Sequence, residues 1–317
     1  MKIAFVGKGG SGKTTMSVLF SQYASIEHKV LTIDADINMH TASELGVNTD
    51  EIKILSDKET SLEIRRLLIG DNKRIESVSH FRKSTPPARG SKLIDITNND
   101  DVFIEKYTKQ INQNLHLGVV GTYSESGISS SCYHNNLAIA ENILSHTKNN
   151  QGILCADMVA GTDAFASTLY AQFDLIVLVV EPTKRSVEIF NQYLKLAKSA
   201  KVDHLLKVVA NKIEDDDDID FVKSFVGDKL IASFKKSKHL KLVDKGVEKI
   251  LYQKLETSSQ QSLENIMDCL KTYSNKNNDA ERLERLWSAH RIYAGQDYVV
   301  RAVGDLSSQI DENFKYE

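Results

Sequence analysis

The sequence contains, directly after the apolar run Ile3-Ala4-Phe5-Val6, the stretch Gly7-Lys8-Gly9-Gly10-Ser11-Gly12-Lys13-Thr14-Thr15. A glycine, four residues and then Gly-Lys-Thr, placed between a strand and a helix, is typical of a loop that binds phosphate through its backbone N–H groups. The glycines let the chain bend and approach an anion, Lys13 would reach the terminal phosphates, and the Thr14 hydroxyl would bind Mg²⁺. A glycine-rich hairpin turn is the alternative, but the full pattern in its strand-to-helix context disfavours it. The stretch therefore predicts a nucleotide site.

A second lysine, Lys8, lies directly after the first glycine of this loop. The wording Lys-Gly-Gly-Ser-Gly-Lys-Thr-Thr resembles the deviant Walker A loop of the ATPase group that includes MinD, ParA, the nitrogenase iron protein and the arsenite pump. In that group the extra lysine crosses an ATP-bridged dimer and contacts the nucleotide of the partner subunit. The resemblance therefore implies an ATP-dependent homodimer, whereas a solvated lysine on a flexible loop is the alternative.

Composition indicates an ordinary globular protein, because 41% of the 317 residues are hydrophobic and 26% are charged. The formal net charge of −3 provides no global basic field, so affinity for nucleic acid or anionic membrane would need a local patch. The three cysteines are widely separated and odd in number, which favours a reducing cytoplasm over a disulfide framework. The phosphate loop interrupts the first apolar residues too early for a signal peptide or membrane span. We expect a cytoplasmic protein without a strong nucleic-acid or membrane signal.

Short apolar runs alternate with helical patterns along most of the chain, which is typical of a parallel α/β sheet. We expect a single doubly wound domain with a mainly parallel sheet at residues 1–274, followed by a helical C-terminal extension at residues 275–317. The predicted strands are residues 3–6, 29–33, 116–120, 152–156, 175–180, 207–210 and 229–233.

Two aspartates, Asp34 and Asp36, follow the second of these strands. Carboxylates at the carboxyl end of a strand face the ligand crevice of an open α/β sheet. Asp36 matches the second aspartate of the D-x-D segment of the MinD-like group, where it helps to orient the attacking water and the metal shell. The resemblance therefore assigns a catalytic role to Asp36, and capping of a helix that starts near Met39 is compatible with it.

A Walker B-like strand ends in Asp157-Met158-Val159-Ala160-Gly161. This wording resembles the D-x-x-A-G switch segment of the same group. The resemblance implies that Asp157 holds the Mg²⁺ shell and that the Gly161 N–H senses the γ-phosphate. Thr162 and Asp163, which follow, are candidates for capping the next helix.

The pair Asn211-Lys212 follows the strand at residues 207–210 and resembles the Asn-Lys pair found there in these ATPases. By this resemblance Asn211 would read the adenine edge and Lys212 would belong to the nucleotide site. The acidic run just beyond, Glu214-Asp215-Asp216-Asp217-Asp218, lacks the glycine and the terminal glutamate of a calcium loop. We expect a solvated run that starts a helix.

The segment Gly-Ile-Ser-Ser-Ser-Cys-Tyr-His-Asn-Asn-Leu-Ala around Cys132 is similar to the Gly-Cys-x-Cys-Pro-x-Asn segment of the carbon monoxide dehydrogenase accessory ATPase (CooC) branch. The paired cysteines of that branch bind metal across the dimer, but here Ser130 replaces the first cysteine and Tyr133 replaces the proline. Two thiolates in a dimer are too few for a closed tetrahedral site without His134 or solvent. Cys132 is thus a candidate dimer-bridging metal ligand, with a partly buried structural cysteine as the alternative.

Residues 56–115 show little regular pattern apart from a helix near Leu62–Leu68 and a helix capped by the Asn98–Asp101 run. We interpret them as an inserted flap that carries partner specificity, or alternatively as a mobile surface insertion. One basic cluster follows the last predicted strand. We interpret it as a solvated face rather than as a surface that contacts an acidic partner or nucleic acid. Its members are Lys235, Lys236, Lys238, Lys241 and Lys245.

The resemblance ends near Asn275, and two further helices are expected beyond it. One contains Leu283 to His290, and the other carries an apolar stripe from Val299 to Phe314. MinD proteins end in a membrane-binding helix, but acidic residues outnumber basic ones on this stripe, and anionic lipid repels them. Packing against the domain or a partner is the better interpretation.

The sequence therefore predicts a Mg²⁺-dependent ATPase that switches between dimer states and acts on a protein client. The CooC-like wording favours a role in metallocentre maturation. The alternatives are a partitioning or positioning ATPase of the ParA/MinD kind and a protein-interaction module that uses the nucleotide as a slow switch.

Overall fold

The computed structural model describes residues 1–122, 133–148, 151–161, 165, 168–276 and 279–316. Within these residues the strands are β1 (Lys2–Gly7), β2 (Val30–Ala35), β3 (Lys109–Gln110), β4 (Leu115–Val119), β5 (Ile153–Met158), β6 (Leu175–Val180), β7 (Leu206–Ile213) and β8 (Leu230–Lys235). They form one sheet in the order β3-β4-β2-β5-β1-β6-β7-β8. Every pairing is parallel except that of β3 with β4. The predicted fold class is confirmed.

Helices cover both faces of the sheet. They are α1 (Lys13–Ala24), α2 (His40–Glu44), α3 (Lys58–Ile69), α4 (Val102–Tyr107), α5 (Tyr133–Ser145), α6 (Lys184–Ser199), α7 (Asp216–Val226), α8 (Lys238–Asp244), α9 (Thr257–Lys276), α10 (Asp279–Ala294) and α11 (Asp297–Val303). Helices α1 and α9 pack on one face, and α3, α5, α6 and α7 pack on the other. Among the residues described, none of the helices has both the length and the apolar character that crossing a membrane requires.

The strand order places the predicted site residues together. Strands β2, β5 and β1 are neighbours and run parallel, so their carboxyl ends meet at the same edge of the sheet. The phosphate loop follows β1, Asp36 follows β2, and Asp157 lies near the end of β5. Ligands of doubly wound sheets bind at this edge, where the connections diverge.

Residues 56–115 contribute part of the core, and their role as an inserted flap that carries partner specificity stays a prediction. Apolar side chains such as Ile64, Leu68, Phe81 and Phe103 are buried in the core on the α5 side of the sheet, because this segment supplies the cover for β2 and β4. The sequence pattern did not show the two-residue edge strand β3. Asp101 caps α4 as predicted, with its carboxylate accepting from the backbone N–H groups of the first turn.

The C-terminal residues pack against the domain. Arg282 in α10 forms a buried ion pair with Asp174, 2.5 Å away, and Asp174 also accepts from the Lys2 backbone N–H. The second predicted helix is shorter than the apolar stripe suggested. It ends at Val303 because Gly304 has a φ angle of 75° and returns its N–H to the Val300 carbonyl. A 3-10 turn at Ser307–Gln309 replaces the rest.

Glu141 in α5 is a fully buried carboxyl. One of its oxygens accepts from the Thr168 backbone N–H and hydroxyl, while the other has no hydrogen-bond partner among the described residues. Burial raises its pKa from 4.5 to about 7. Between these values the folded state binds more protons than the unfolded state, so the free energy of unfolding decreases as pH rises.

We expect the free energy of unfolding to be about 2 to 3 kcal/mol lower at pH 8 than at pH 5, because the buried Glu141 carboxyl loses its proton over this interval. Glu141→Gln keeps the size of the side chain but removes this titration, so its unfolding free energy should decrease less over the same interval. Denaturant unfolding at both pH values measures the difference. Glu105→Gln, at an exposed position on α4, is the control. Equal pH dependence in wild type and Glu141→Gln would contradict the expectation.

Candidate functional site

The phosphate loop joins β1 to α1, and its backbone depends on glycine. Gly10 and Gly12 have φ angles of 84° and 91°, in the left-handed region that side chains disfavour. A Cβ atom on residue 12 would also lie 2.3 Å from the side-chain nitrogen of Asn211. The Met16 N–H donates to the Gly12 carbonyl in the first hydrogen bond of α1. The loop therefore opens into the amino-terminal end of α1, where anions bind favourably.

A cavity of about 600 Å³ lies in front of this loop, a volume typical of small-molecule sites. Two segments that the sequence did not assign to the site also line it: the region of α2, with Asn38, His40 and Glu44, and the start of α8 with the end of β8. Of the predicted residues, those that line the cavity are Gly9, Gly10, Gly12, Lys13, Thr14, Thr15, Asp36, Asn211 and Lys212.

Lys13 and Asp36 form a buried ion pair at the cavity wall. The Lys13 ammonium donates to one carboxylate oxygen of Asp36, and the other oxygen accepts from the backbone and side-chain nitrogens of Asn38. Burial acts to raise the pKa of Asp36, but the hydrogen bonds from Lys13 and Asn38 outweigh it and lower the pKa. Asp36 is therefore ionised. Its carboxylate binds the Lys13 ammonium, which is the group that the sequence assigns to the terminal phosphates.

Asp34 and Asp157 lie opposite each other on the paired strands β2 and β5 and are both completely buried. Thr41 bridges them, because its backbone N–H donates to Asp34 at 3.1 Å and its hydroxyl donates to Asp157 at 3.2 Å. The second oxygen of Asp157 has no partner among the described residues. Burial raises the pKa of both carboxyls, and the charge of Asp157 adds to the rise at Asp34. The nearby charge of Lys13 only partly offsets the rise at Asp157.

Glu44 adds a third carboxyl to this end of the site. It accepts a hydrogen bond of 3.3 Å from the Thr15 hydroxyl, and its second oxygen is buried without a partner among the residues described. Burial and the nearby charge of Asp157 raise the pKa of Glu44 to about 7. Sequence reasoning missed both Thr41 and Glu44. Their spacing of three on the short helix after Asp36 places them on one face and is the signal that was available.

Gly161, Asn211 and Lys212 contact the phosphate loop directly. The Gly161 N–H donates to the Gly7 carbonyl at 3.2 Å, and the Asn211 amide donates to the Ser11 carbonyl at 2.9 Å. The Lys212 ammonium donates to the Gly10 carbonyl at 2.8 Å and also pairs with Glu181. These residues thus fix the backbone of the loop. The reading of an adenine edge by Asn211 stays a prediction.

Lys8 is exposed at the tip of the loop, and its ammonium pairs with no carboxylate of the residues that the structure describes. Three lysines of the basic cluster, Lys235, Lys236 and Lys241, line the nucleotide cavity rather than a separate surface. Lys236 pairs with Glu214. Positive charge is therefore available both at the rim of the cavity and at the loop.

Several predicted residues lie outside the described residues. They are Cys132, the candidate metal ligand, with Ser130 beside it, and the candidate caps Thr162 and Asp163. The acidic run is confirmed as a helix start, because Asp215 caps α7 by accepting from the Asp218 N–H.

Two curated relatives match most of the chain. The carbon monoxide dehydrogenase accessory protein CooC of Rhodospirillum rubrum is 28% identical over 225 residues, which are 70% of this chain and 78% of that protein. An uncharacterized ATP-binding protein of Methanocaldococcus jannaschii is 29% identical over 219 residues, which are 68% of this chain and 77% of that protein.

Solved structures of ATPases share the fold. A ParA family ATPase from Chlorobium tepidum superposes with a TM-score of 0.56 at 15% identity, over 83% of this chain and 96% of that one. The MinD cell division protein of Aquifex aeolicus gives a TM-score of 0.54 at 18% identity, over 85% and 96% of the two chains. A family model for the CobQ/CobB/MinD/ParA nucleotide binding domain matches residues 3–250. With its phosphate loop, sheet order and cavity, the chain belongs to the CobQ/CobB/MinD/ParA nucleotide-binding domain family.

Proposed function

We propose that this protein is a Mg²⁺-dependent ATP hydrolase with a deviant Walker A loop, and that it works as an ATP-bridged homodimer in the cytoplasm. The observation that carries the proposal is the convergence of Lys13, Asp36 and Asp157 with the glycine backbone of the loop. Lys13 and Asp36 follow two strands of this part of the sheet and line one cavity, and Asp157, near the end of the strand between them, is buried behind it. In this function residues 1–274 form the ATPase domain and residues 275–317 its helical extension.

The residues present fit a bound Mg²⁺ ion. One Asp157 oxygen has no partner among the described residues, and burial raises the pKa of Asp34 and of Asp157 although the charge of Lys13 partly offsets the rise at Asp157. A cation held here would stabilise the ionised carboxylates. Among those residues no cluster of histidine, cysteine, aspartate and glutamate is arranged to hold an ion by itself. Mg²⁺ usually binds through one or two carboxylates together with substrate phosphates and water. Thr14 and Asp157 would hold the ion, which when bound would neutralise charge on the phosphates.

The ion pair between Lys13 and Asp36 connects nucleotide binding with the catalytic carboxylate. A terminal phosphate competes with Asp36 for the Lys13 ammonium. Binding of the phosphate releases the carboxylate, which is then free to orient a water molecule, while the loop N–H groups and Lys13 stabilise charge on the transferring phosphoryl group. The water-orienting group thus becomes available only when nucleotide is bound.

Asp157→Asn tests the metal assignment. The change keeps the side-chain shape but removes the charge beside the ion, so we expect the Mg²⁺ concentration for half-maximal hydrolysis to rise about 10- to 100-fold. The variant should fold at least as stably as wild type, because it also removes a buried charge next to Asp34. A magnesium titration of the hydrolysis rate measures the effect, with Asp217→Asn as an exposed control. An unchanged magnesium dependence would rule out Asp157 as the metal-shell residue.

We propose that the client is a protein whose metal centre needs an accessory ATPase. The similarity to CooC and the segment around Cys132 support this choice. The second candidate is a partitioning or positioning ATPase, which the ParA and MinD folds support. Metal analysis of the nucleotide-loaded protein, together with a DNA-binding assay at low salt, separates the two, because only the second requires affinity for DNA or membrane.

A further inference from the structure

The peptide groups on both sides of Gly161 are held by hydrogen bonds. The Gly161 N–H donates to the carbonyl of Gly7, the first residue of the phosphate loop. The Gly161 carbonyl accepts from the hydroxyl of Tyr193 in α6. Gly161, which follows the cavity-lining Ala160, is therefore hydrogen-bonded both to the loop and to α6, a helix that does not line the cavity.

Tyr193 is a rigid hydrogen-bond donor. Its side chain is completely buried, and its ring packs edge to face against Phe165 with centroids 5.8 Å apart. Phe165 in turn stacks on Tyr170 at 5.9 Å. Because a tyrosine ring has few torsions and this ring is fixed by packing, the position of the hydroxyl is fixed as well. Because the hydroxyl cannot move with the Gly161 carbonyl, the hydrogen bond between them restrains the backbone of Gly161.

Gly161 has a φ angle of 99°, and no atom of the described residues lies within 4 Å of the place that a Cβ atom would occupy there. The present arrangement nevertheless directs its N–H at Gly7 rather than at the cavity. For this N–H to donate to a phosphate oxygen in the cavity, it must first leave the Gly7 carbonyl. The hydrogen bond from the Gly161 N–H to Gly7 and the hydrogen bond from Tyr193 to the Gly161 carbonyl both stabilise the arrangement in which the N–H points at Gly7.

We propose that Tyr193 is a positioning residue of the nucleotide site: through the Gly161 carbonyl it keeps the Gly161 N–H on Gly7 and so opposes binding of a nucleoside triphosphate relative to the diphosphate. The inference rests on the proposed function. A ligand shifts a conformational equilibrium only by its differential affinity for the two states. The resemblance to the D-x-x-A-G segment implies that the Gly161 N–H donates to the γ-phosphate. With that role, a diphosphate gains nothing from turning the N–H, whereas a triphosphate gains a hydrogen bond and must overcome the restraint.

Tyr193→Phe removes the hydroxyl and keeps the ring in its packing. We expect the affinity for a non-hydrolysable ATP analogue to rise about 3- to 10-fold, the equivalent of one net hydrogen bond, while the affinity for ADP stays unchanged. Isothermal titration calorimetry with both nucleotides in the presence of Mg²⁺ gives the ratio of the two affinities. A residue that only fills the core would lower the melting temperature without changing this ratio.

Tyr170→Phe is the matched control, since it removes a hydroxyl from the same aromatic cluster and leaves the Gly161 carbonyl bonded. Its affinity ratio should equal that of wild type. If wild type binds both nucleotides and Tyr193→Phe leaves the ratio unchanged or lowers it, the inference is overturned and the proposed function stands. If wild type binds neither nucleotide, the proposed function is overturned and the inference with it.

Discussion

Lys13→Ala is expected to abolish measurable nucleotide binding and hydrolysis. In wild type the Lys13 ammonium neutralises Asp36 in the cavity wall, close to the buried carboxyls of Asp157 and Glu44. Without the lysine, a nucleotide loses its main cationic contact and meets an unpaired carboxylate. Truncation of one partner in a buried charge pair across a binding interface costs about 2 to 5 kcal/mol, so loss of the contact between Lys13 and the phosphates should lower affinity about 30- to 5,000-fold.

Equilibrium titration with a fluorescent ATP analogue measures this loss, and circular dichroism establishes that the variant is folded. Lys184→Ala makes the same change in net charge at an exposed position on α6 and should bind like wild type. Unchanged affinity in Lys13→Ala would refute the assignment of the phosphate loop.

Lys8→Ala is expected to bind nucleotide nearly normally but to lose ATP-dependent dimerisation. Its own subunit still has the loop N–H groups and Lys13, and Lys8 is exposed and unpaired with any described carboxylate. In an ATP-bridged dimer two sets of phosphate charges face each other where screening is reduced, and the crossing lysines compensate them. Hydrolysis should fall about 10³-fold or more, by analogy with an arginine supplied in trans.

Light scattering on wild type and Lys8→Ala, with ADP and with a non-hydrolysable ATP analogue, measures dimerisation directly. Lys8→Arg keeps the positive charge and should retain the dimer. A wild type that stays monomeric with the analogue, or a Lys8→Ala variant that dimerises as well as wild type, would leave an ordinary phosphate-loop ATPase in which Lys8 is only a solvated neighbour.

The sheet and the position of the phosphate loop were predictable because both depend on local pattern. Continuous apolar runs bounded by turns mark strands that helices cover on both faces, and every strand predicted in this way is present. The strand β3 was not predictable, since two residues at a sheet edge carry no periodic signal. The end of α11 at Val303 was not predictable, because the apolar stripe continues beyond it.

Asp36 and Asp157 could be placed at the carboxyl edge of the sheet because each follows a predicted strand. Thr41, Glu44 and Lys235 could not, since their roles depend on contacts between distant parts of the chain. Glu44 becomes part of the site only because α2 lies against α1 and brings it to Thr15. Lys235 lines the cavity because β8 lies beside β7 at the same edge of the sheet.

By itself the sequence determined the phosphate loop, the parallel sheet and the carboxylates that follow its strands, because hydrophobic periodicity and glycine spacing act over a few neighbouring residues. Only the tertiary structure decided that Lys13 rests on Asp36, that Thr41 bridges Asp34 and Asp157, and that Tyr193 restrains Gly161. Such contacts join buried polar groups, which must find partners wherever the packing of the sheet and its helices places them.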